Sequence, residues 1–415
     1  MSPLVSVAML GARRHYAVPR FMHEAGLLER FYTDSYIGNK PWLEAVIAAV
    51  PQGLGPSGLR RLRERRDRAL PPARVTSFEM LGLWSAWQRR RSPGSHRALR
   101  ALERETGRRF GLNVLRKGFG NSGLLIGFSG ASLEMFRGAK AQGIKCILEQ
   151  TILPDQPRYR LMLEEIKAWP DWEPGLSHSD YETTDYAREE QEWLLADGIV
   201  AGSEFVKSGL VECGVASDKV HVVPYGVDTV RFPLTSGDDK RHGGPLRVLF
   251  VGSVGLRKGV PYLLEALARL GPSKVQARFV GSVALADTWL QPFRKVAAFT
   301  GALPRGDMAT MYQWADVFCL PSIVEGSAGV IYEALMSGLP VITTPNAGSL
   351  VRDSVDGQVV PIRSSEALAV ALDRYASDGS VLRQHAEGAA SARQRVSLER
   401  YKSELIRLIQ DQLCG

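Results

Sequence analysis

At 415 residues, with 45% apolar and 23% charged side chains, the chain is too long for one core and predicts two domains of about 200 residues each. The net charge of +8 is local: 17 basic and 5 acidic residues lie between Arg60 and Lys117, so the remainder is slightly acidic. No apolar run reaches the roughly 18 residues of a bilayer span. Cys146, Cys213, Cys319 and Cys414 form no CxxC pair, which argues against a zinc site or disulfide framework and for a reducing cytoplasm.

The opening "MSPLVSVAMLGARRHY" reads as a strand rather than a signal peptide, since no basic segment precedes its apolar run. From there short apolar runs alternate with helical patterns, as in parallel α/β units. Strands are expected at 4–10, 123–129 and 145–150 in the first half. In the second half they are expected at 197–203, 219–225, 246–253, 276–282, 315–322 and 340–344, with helices such as 260–270 and 328–338 between them. Residues 52–117 are rich in arginine, proline and tryptophan and read as a basic helical insertion. The expected division is a first domain at 1–195, a second at 196–390, and a final helical segment at 391–415.

The stretch "LPSIVEGSAGVIYEALMSGLPVITT" (320–344) reads strand, loop, helix, strand, with Gly338 as the helix C-cap. Glu325 falls in the loop and Glu333 about one turn inside the helix. Gly326, Ser327, Ala328 and Gly329 leave room for a ligand, and their amides with the helix dipole suit a phosphate. Ionised carboxylates suit hydroxyl donors instead. A ligand with sugar hydroxyls and a phosphate satisfies both; the plain alternative is a helix-terminal charge and a solvated face residue.

This stretch resembles the Glu-x7-Glu signature of retaining glycosyltransferases with the GT-B fold, in particular family 4. Three further segments are similar to that family in the same order: "VHVVPYGVDTVRF" (220–232), "VLFVGSVGLRKGVPYLLEAL" (248–267) and "VAAFTGALPRGDMATMYQWADVFCLPS" (296–322). The resemblance covers about 195–361. It implies an α/β fold of two Rossmann-like doubly wound domains facing a cleft, with the last helix (397–413) crossing back to the first. It also implies metal-free transfer from a nucleotide diphosphate sugar without a further cofactor, and the chain contains no Asp-x-Asp motif. The implied catalytic set is Glu325 on the transferred sugar with Lys258, and Arg257 beside it, on the diphosphate. The implied donor-binding set is Glu333 on the ribose, then Gly326, Ser327, Ala328, Gly329, Val330, Gly252, Ser253, Gly11 and Leu303; Phe299, Thr300 and Gly301 join Leu303 around the base. On the acceptor side it points to Arg13, His15, Glu149 and Gln150.

The chain departs from the family pattern in four places. Ser253 stands where relatives carry an arginine, and Arg257 is the nearby replacement. "NAGSLVRD" (346–353) lacks the glutamate that often follows the glycine. The first loop, "LGARRHY", has one glycine where many relatives have two, and Glu149 and Gln150 stand where many carry a histidine after the strand.

The function implied is transfer of a sugar from a nucleotide-sugar donor to a hydroxyl acceptor, a polysaccharide or lipid-linked glycan, in the cytoplasm. The arginine-rich stretch 59–117 has three readings: a solvated helical surface, a peripheral contact with the inner membrane face, and a nucleic-acid surface. The first two rank ahead, and no specific nucleic acid is expected. Two rival functions stay open. A nucleotide-sugar epimerase of the same fold would release a changed sugar nucleotide without an acceptor. A non-catalytic basic adaptor would bind membrane or nucleic acid and survive loss of Glu325 and Glu333.

Overall fold

The computed structural model describes residues 4–40, 62–63, 65–91, 96–182, 186–234 and 243–414, which form two parallel sheets. The first holds β1 (Leu4–Ala8), β2 (Leu28–Thr33), β3 (Val75–Ser77), β4 (Ser122–Phe128), β5 (Lys145–Gln150), β6 (Gly198–Ala201) and β7 (Val220–Val222), in the order β3-β2-β1-β4-β5-β6-β7. The second holds β8 (Leu246–Val251), β9 (Val275–Val280), β10 (Ala297–Gly301), β11 (Val317–Leu320), β12 (Val341–Thr343) and β13 (Gly357–Val359), in the order β10-β9-β8-β11-β12-β13. Both orders reverse beside their first strand, between β1 and β4 and between β8 and β11. Ligands of open parallel sheets collect past the carboxyl ends of the strands at such a switch.

These strands are buried on both faces, which is why they read as continuous apolar runs. In β4 Leu124, Ile126 and Phe128 face one helical layer and Leu125 the other; in β5 Ile147 faces the first, Cys146 and Leu148 the second.

The structure corrects the sequence reading in three respects. β6 and β7, expected with the second domain, pair with β5 in the first sheet, so the change of sheet falls between Val222 and Leu246. β2, β3, β10 and β13 were not expected: β2 carries Glu29 and Arg30 in its middle, and the others are short or contain glycine. The basic stretch is not an insertion set apart from the fold. β3 is the edge strand of the first sheet, and helix His96–Lys117 packs Phe110 and Val114 into the core on one face of that sheet. Residues 52–61, 64 and 92–95 of that stretch lie outside the described residues.

The chain crosses between the domains twice, and the crossings touch. Val227 bridges Ser397, and a Cβ on Gly226 would stand 2.3 Å from the Ser397 carbonyl. Beyond that point helix Leu398–Cys414 packs Tyr401 against Phe21 of helix Ala17–Glu24 and against Tyr225, at 5.5 and 5.7 Å between ring centres. Near its end Lys145 Nζ donates to the Gln412 carbonyl at 2.8 Å. Helix Asp155–Ala168 and the turn after it dock on the second domain through Glu164 and Glu165 on Arg363, Trp169 on Tyr262, and Trp172 on Trp289.

Candidate active site

Two loops build the crevice of the second sheet. After β8, Gly252 takes φ +146°, and its carbonyl lies 1.9 Å from where a Cβ on Gly281 would stand, so neither position accepts a side chain. One 3-10 turn, Leu256–Lys258, follows and closes on Gly259 in the left-handed conformation, φ +67°. A Cβ there would stand 2.0 Å from the Pro321 carbonyl, so glycine lets the turn press against the end of β11. The amides of Ile323 and Val324 donate to the Arg257 carbonyl at 3.0 and 3.2 Å, tying the turn to the loop that carries Glu325.

The two basic side chains of the turn converge on one carboxylate. Lys258, only 7% exposed, brings Nζ to 2.5 Å from Glu325 Oε1, and Arg257 donates to the same oxygen and to the Val324 carbonyl at 3.0 Å. Burial works against the Glu325 anion, but Lys258 and Arg257 outweigh it and hold the carboxyl below its ordinary value. Burial lowers the Lys258 ammonium; Glu325 opposes that shift and Arg257 adds to it. The result is a cluster of two basic side chains around one carboxylate, with Lys258 buried beside Glu325 and Arg257 partly exposed.

Glu333 lies one turn into helix Gly329–Met336. The hydroxyl of the buried Tyr312, in helix Met308–Trp314, donates to Glu333 Oε2 at 2.7 Å. The helix ends as its sequence predicts, with Gly338 left-handed at φ +74° and its amide donating to the Leu335 carbonyl at 3.0 Å. The loop amides are less available than expected, because that of Ala328 donates to the Ala347 carbonyl at 3.2 Å. Ser327 Oγ lies 2.8 Å from the Tyr332 hydroxyl; Gly329 faces open space and Val330 is half-buried. Ser253 is half-buried with Oγ 3.5 Å from that of Ser282, and Leu303 and Phe299 pack against the core beside β10.

The loop carrying Glu325 rests on the first domain. A Cβ on Gly326 would stand 2.0 Å from the Thr151 carbonyl, at the end of β5, and Ser203 Oγ donates to the Gly326 carbonyl. Gly348, left-handed at φ +59°, lies behind the same carbonyl. The first domain also reaches the basic turn, where Glu173 Oε2 accepts from the Leu256 amide at 2.8 Å. Sequence reasoning missed Glu173, Ser203 and Tyr312; the turn-rich "WPDWEPG" around Glu173 was the one signal available.

Arg13, expected on the acceptor side, lines a cavity of about 480 Å³ at the carboxyl ends of β1, β2, β4 and β5; Gly11, expected with the donor-binding residues, lines the same first-domain cavity rather than sitting with the donor loops. Thr151 lines the same cavity and accepts from Arg13 Nη1 at 3.2 Å. Arg14, His15 and Tyr16 all take left-handed conformations, φ +46°, +51° and +60°, a strained turn between β1 and its helix. Glu149 and Gln150 are buried beneath the cavity instead of lining it. Arg14 Nε stands 3.7 Å from Glu149, and the Tyr225 hydroxyl donates to it at 3.1 Å. Gln150 donates to the Ile152 carbonyl and to Glu189 and accepts from Trp193, at 3.1, 2.8 and 3.1 Å, which makes it a structural link.

Residues 245–378 match the family model described as Glycosyl transferases group 1. A putative colanic acid biosynthesis glycosyltransferase, WcaL of Salmonella typhimurium, is 28% identical over 220 residues, 48% of this chain and 53% of that protein. The D-inositol 3-phosphate glycosyltransferase of Xylanimonas cellulosilytica is 30% identical over 230 residues, 50% and 55% of the two chains. The chain thus spans about half the length of these curated relatives. Among solved structures, Anabaena Alr3699/HepE in complex with UDP superposes over 99% of this chain and 100% of its own, with TM-score 0.63 and 15% identity. WaaG, a glycosyltransferase involved in lipopolysaccharide biosynthesis, covers 99% and 100% with TM-score 0.61 and 15% identity. At such identities the likeness is one of fold.

Proposed function

We propose that the chain, whose residues 245–378 match the Glycosyl transferases group 1 model and whose two sheets share the fold of solved glycosyltransferases, moves a sugar from a nucleotide diphosphate donor to a hydroxyl of a glycan acceptor. The observation that carries this reading is the convergence of Lys258 and Arg257 on Glu325 at the mouth of the second sheet, with Glu333 one turn into the helix that follows. A diphosphate leaving group develops negative charge as the sugar departs, and two preorganised cations in a buried site stabilise it. Glu325, held ionised, accepts hydrogen bonds from the sugar hydroxyls, and Glu333, fixed by Tyr312, does the same for the ribose. The bond from the sugar's anomeric carbon to the diphosphate oxygen breaks on the face where the acceptor oxygen bonds. The acceptor's proton passes to the departing phosphate, and the configuration is retained.

HepE was solved with UDP and with UDP-glucose, which makes uridine the first base to try. The test is a thermal-shift screen with UDP, GDP and ADP. Stabilisation by one of them, abolished in Glu333→Ala, is expected; binding at a hundredfold excess over Kd raises stability by about 2.7 kcal/mol. Stabilisation by none of the three would overturn the donor reading.

The acceptor side supports a peripheral contact with an anionic membrane surface. Met80, Leu83 and Trp87 repeat along one face of helix Glu79–Arg91 and are 79%, 65% and 51% exposed, and Arg89, Arg90 and Arg91 follow in its last turn. No described helix is long and apolar enough to cross a membrane. The chain is expected to float with vesicles containing phosphatidylglycerol at low salt, several-fold less so as Trp87→Ala. Equal flotation of the two would remove this contact.

A further inference from the structure

We infer that the cavity in the first domain recognises its acceptor through a phosphate ester, so that the acceptor is a phosphorylated sugar rather than a neutral glycan. This inference rests on the transferase reading and names the substrate class of its acceptor side. Seven arginines and four carboxylates line the cavity, a surplus of three positive charges in about 480 Å³. Its size is that of a small-molecule site.

The arginines divide by what they already hold. Arg65 is paired with Asp34 at 2.9 Å, Arg158 with Asp155, and Arg188 is bidentate on Glu134 at 2.7 and 2.8 Å. Arg89 is loosely paired with Glu103 at 3.6 Å. Arg13 donates to Thr151 at 3.2 Å, and, like it, Arg100 and Arg104 have no ion pair with a carboxylate among the described residues. The last two come from one helix, His96–Lys117, four residues apart, so they share its face. Arg100 is held rigid, its guanidinium 4.3 Å from the ring centre of Tyr159 and 4.2 Å from that of Tyr181. A stacked guanidinium keeps its edge donors in one plane, the geometry that matches a phosphate.

Charge chooses among anions. A carboxylate would neutralise one of the three surplus charges, whereas a phosphomonoester or a diphosphate ester carries about two at neutral pH. The cavity also lies where transfer requires. Thr151 lines it, and the Thr151 carbonyl is the atom against which Gly326, next to Glu325, is packed. An acceptor anchored by its phosphate on Arg100 and Arg104 therefore extends toward the loop that holds the donor sugar.

The test titrates inorganic pyrophosphate into the full chain by calorimetry, in the presence of a saturating nucleotide from the screen above so that the donor loops are filled. The parent protein is expected to bind, and Arg104→Glu to bind at least about tenfold more weakly; Arg104 is exposed on its helix, so this variant keeps its fold. Arg100→Ala is expected to weaken binding similarly. No binding by the parent, or equal binding by parent and Arg104→Glu, would overturn the inference. The nucleotide titration is run separately on each protein, so failure of the donor reading shows there and the Arg104 comparison reports only the cavity. Displacement of pyrophosphate by glucose 6-phosphate identifies a soluble acceptor, and displacement by a polyprenyl diphosphate sugar in detergent micelles identifies a lipid-linked one. Displacement by neither counts against the proposal.

Discussion

Lys258 stands at a balance that burial would otherwise upset. Burial disfavours both charges; Glu325 opposes the lowering of the Lys258 ammonium, and Lys258 helps hold the Glu325 carboxyl below its ordinary value. Replacing Lys258 by methionine keeps the volume and removes the charge. The expected loss in kcat is on the order of 10²–10³, the range for removing one preorganised group from a developing anion, with little change in the fold because Arg257 still holds Glu325. The pH dependence has a definite sign. Glu325 is lowered in the folded state, so its contribution to stability is present above the unfolded value of about 4.3 and is lost as pH falls through the lower folded value. In Lys258→Met one of the two opposing cations is gone and burial weighs more, so that acid-side loss shrinks. Urea midpoints of the two proteins, read from about pH 6 to about pH 3, measure it; a steeper acid loss in the variant would contradict the account.

At the scale of elements, what the sequence made legible follows from how local each signal is. β4, β5, β8, β11 and β12 are buried on both faces and read as apolar runs; the end of β11, where Pro321 breaks the pattern, led to Glu325, whereas Lys258, past Gly252, came only through the resemblance to family 4. β3 is three residues and β13 is three residues beginning with Gly357, and each is held by pairing with a neighbour rather than by its own pattern. β6 and β7 were visible as strands but not as members of the first sheet, since pairing partners are set by tertiary contacts that a periodicity does not carry. The same limit applies to the arginine cavity. Arg13, Arg65, Arg100 and Arg158 come from four separate segments, and the linear charge count recorded only the excess between Arg60 and Lys117. Helices Glu79–Arg91 and His96–Lys117 then divide that excess between two faces. Arg100 and Arg104 line the cavity, while Met80, Leu83 and Trp87 stand exposed.

At the scale of the whole molecule, the last helix makes the two domains one unit. Tyr401 is fully buried where that helix meets Phe21 and Tyr225, and Leu405 and Ile409 continue the seam. Its hydroxyl meets no hydrogen-bond partner among the described residues. Two substitutions therefore separate its packing from its polarity. Tyr401→Phe keeps the ring and removes a buried unsatisfied group, so stability is expected to hold or rise by about 1 kcal/mol. Tyr401→Ala opens a cavity at the junction and is expected to lose about 3–5 kcal/mol, as aromatic truncations in cores do. The loss falls on the coupling between domains, because Phe21 belongs to the first and the helix arrives from the second. Urea unfolding followed by tryptophan fluorescence and by far-ultraviolet dichroism is expected to give coincident transitions in the parent and in Tyr401→Phe. In Tyr401→Ala the two probes are expected to separate as the domains unfold independently. Coincident transitions in Tyr401→Ala at an unchanged midpoint would mean that the turn at Trp169–Glu173 and the Arg363 contacts join the domains without the helix.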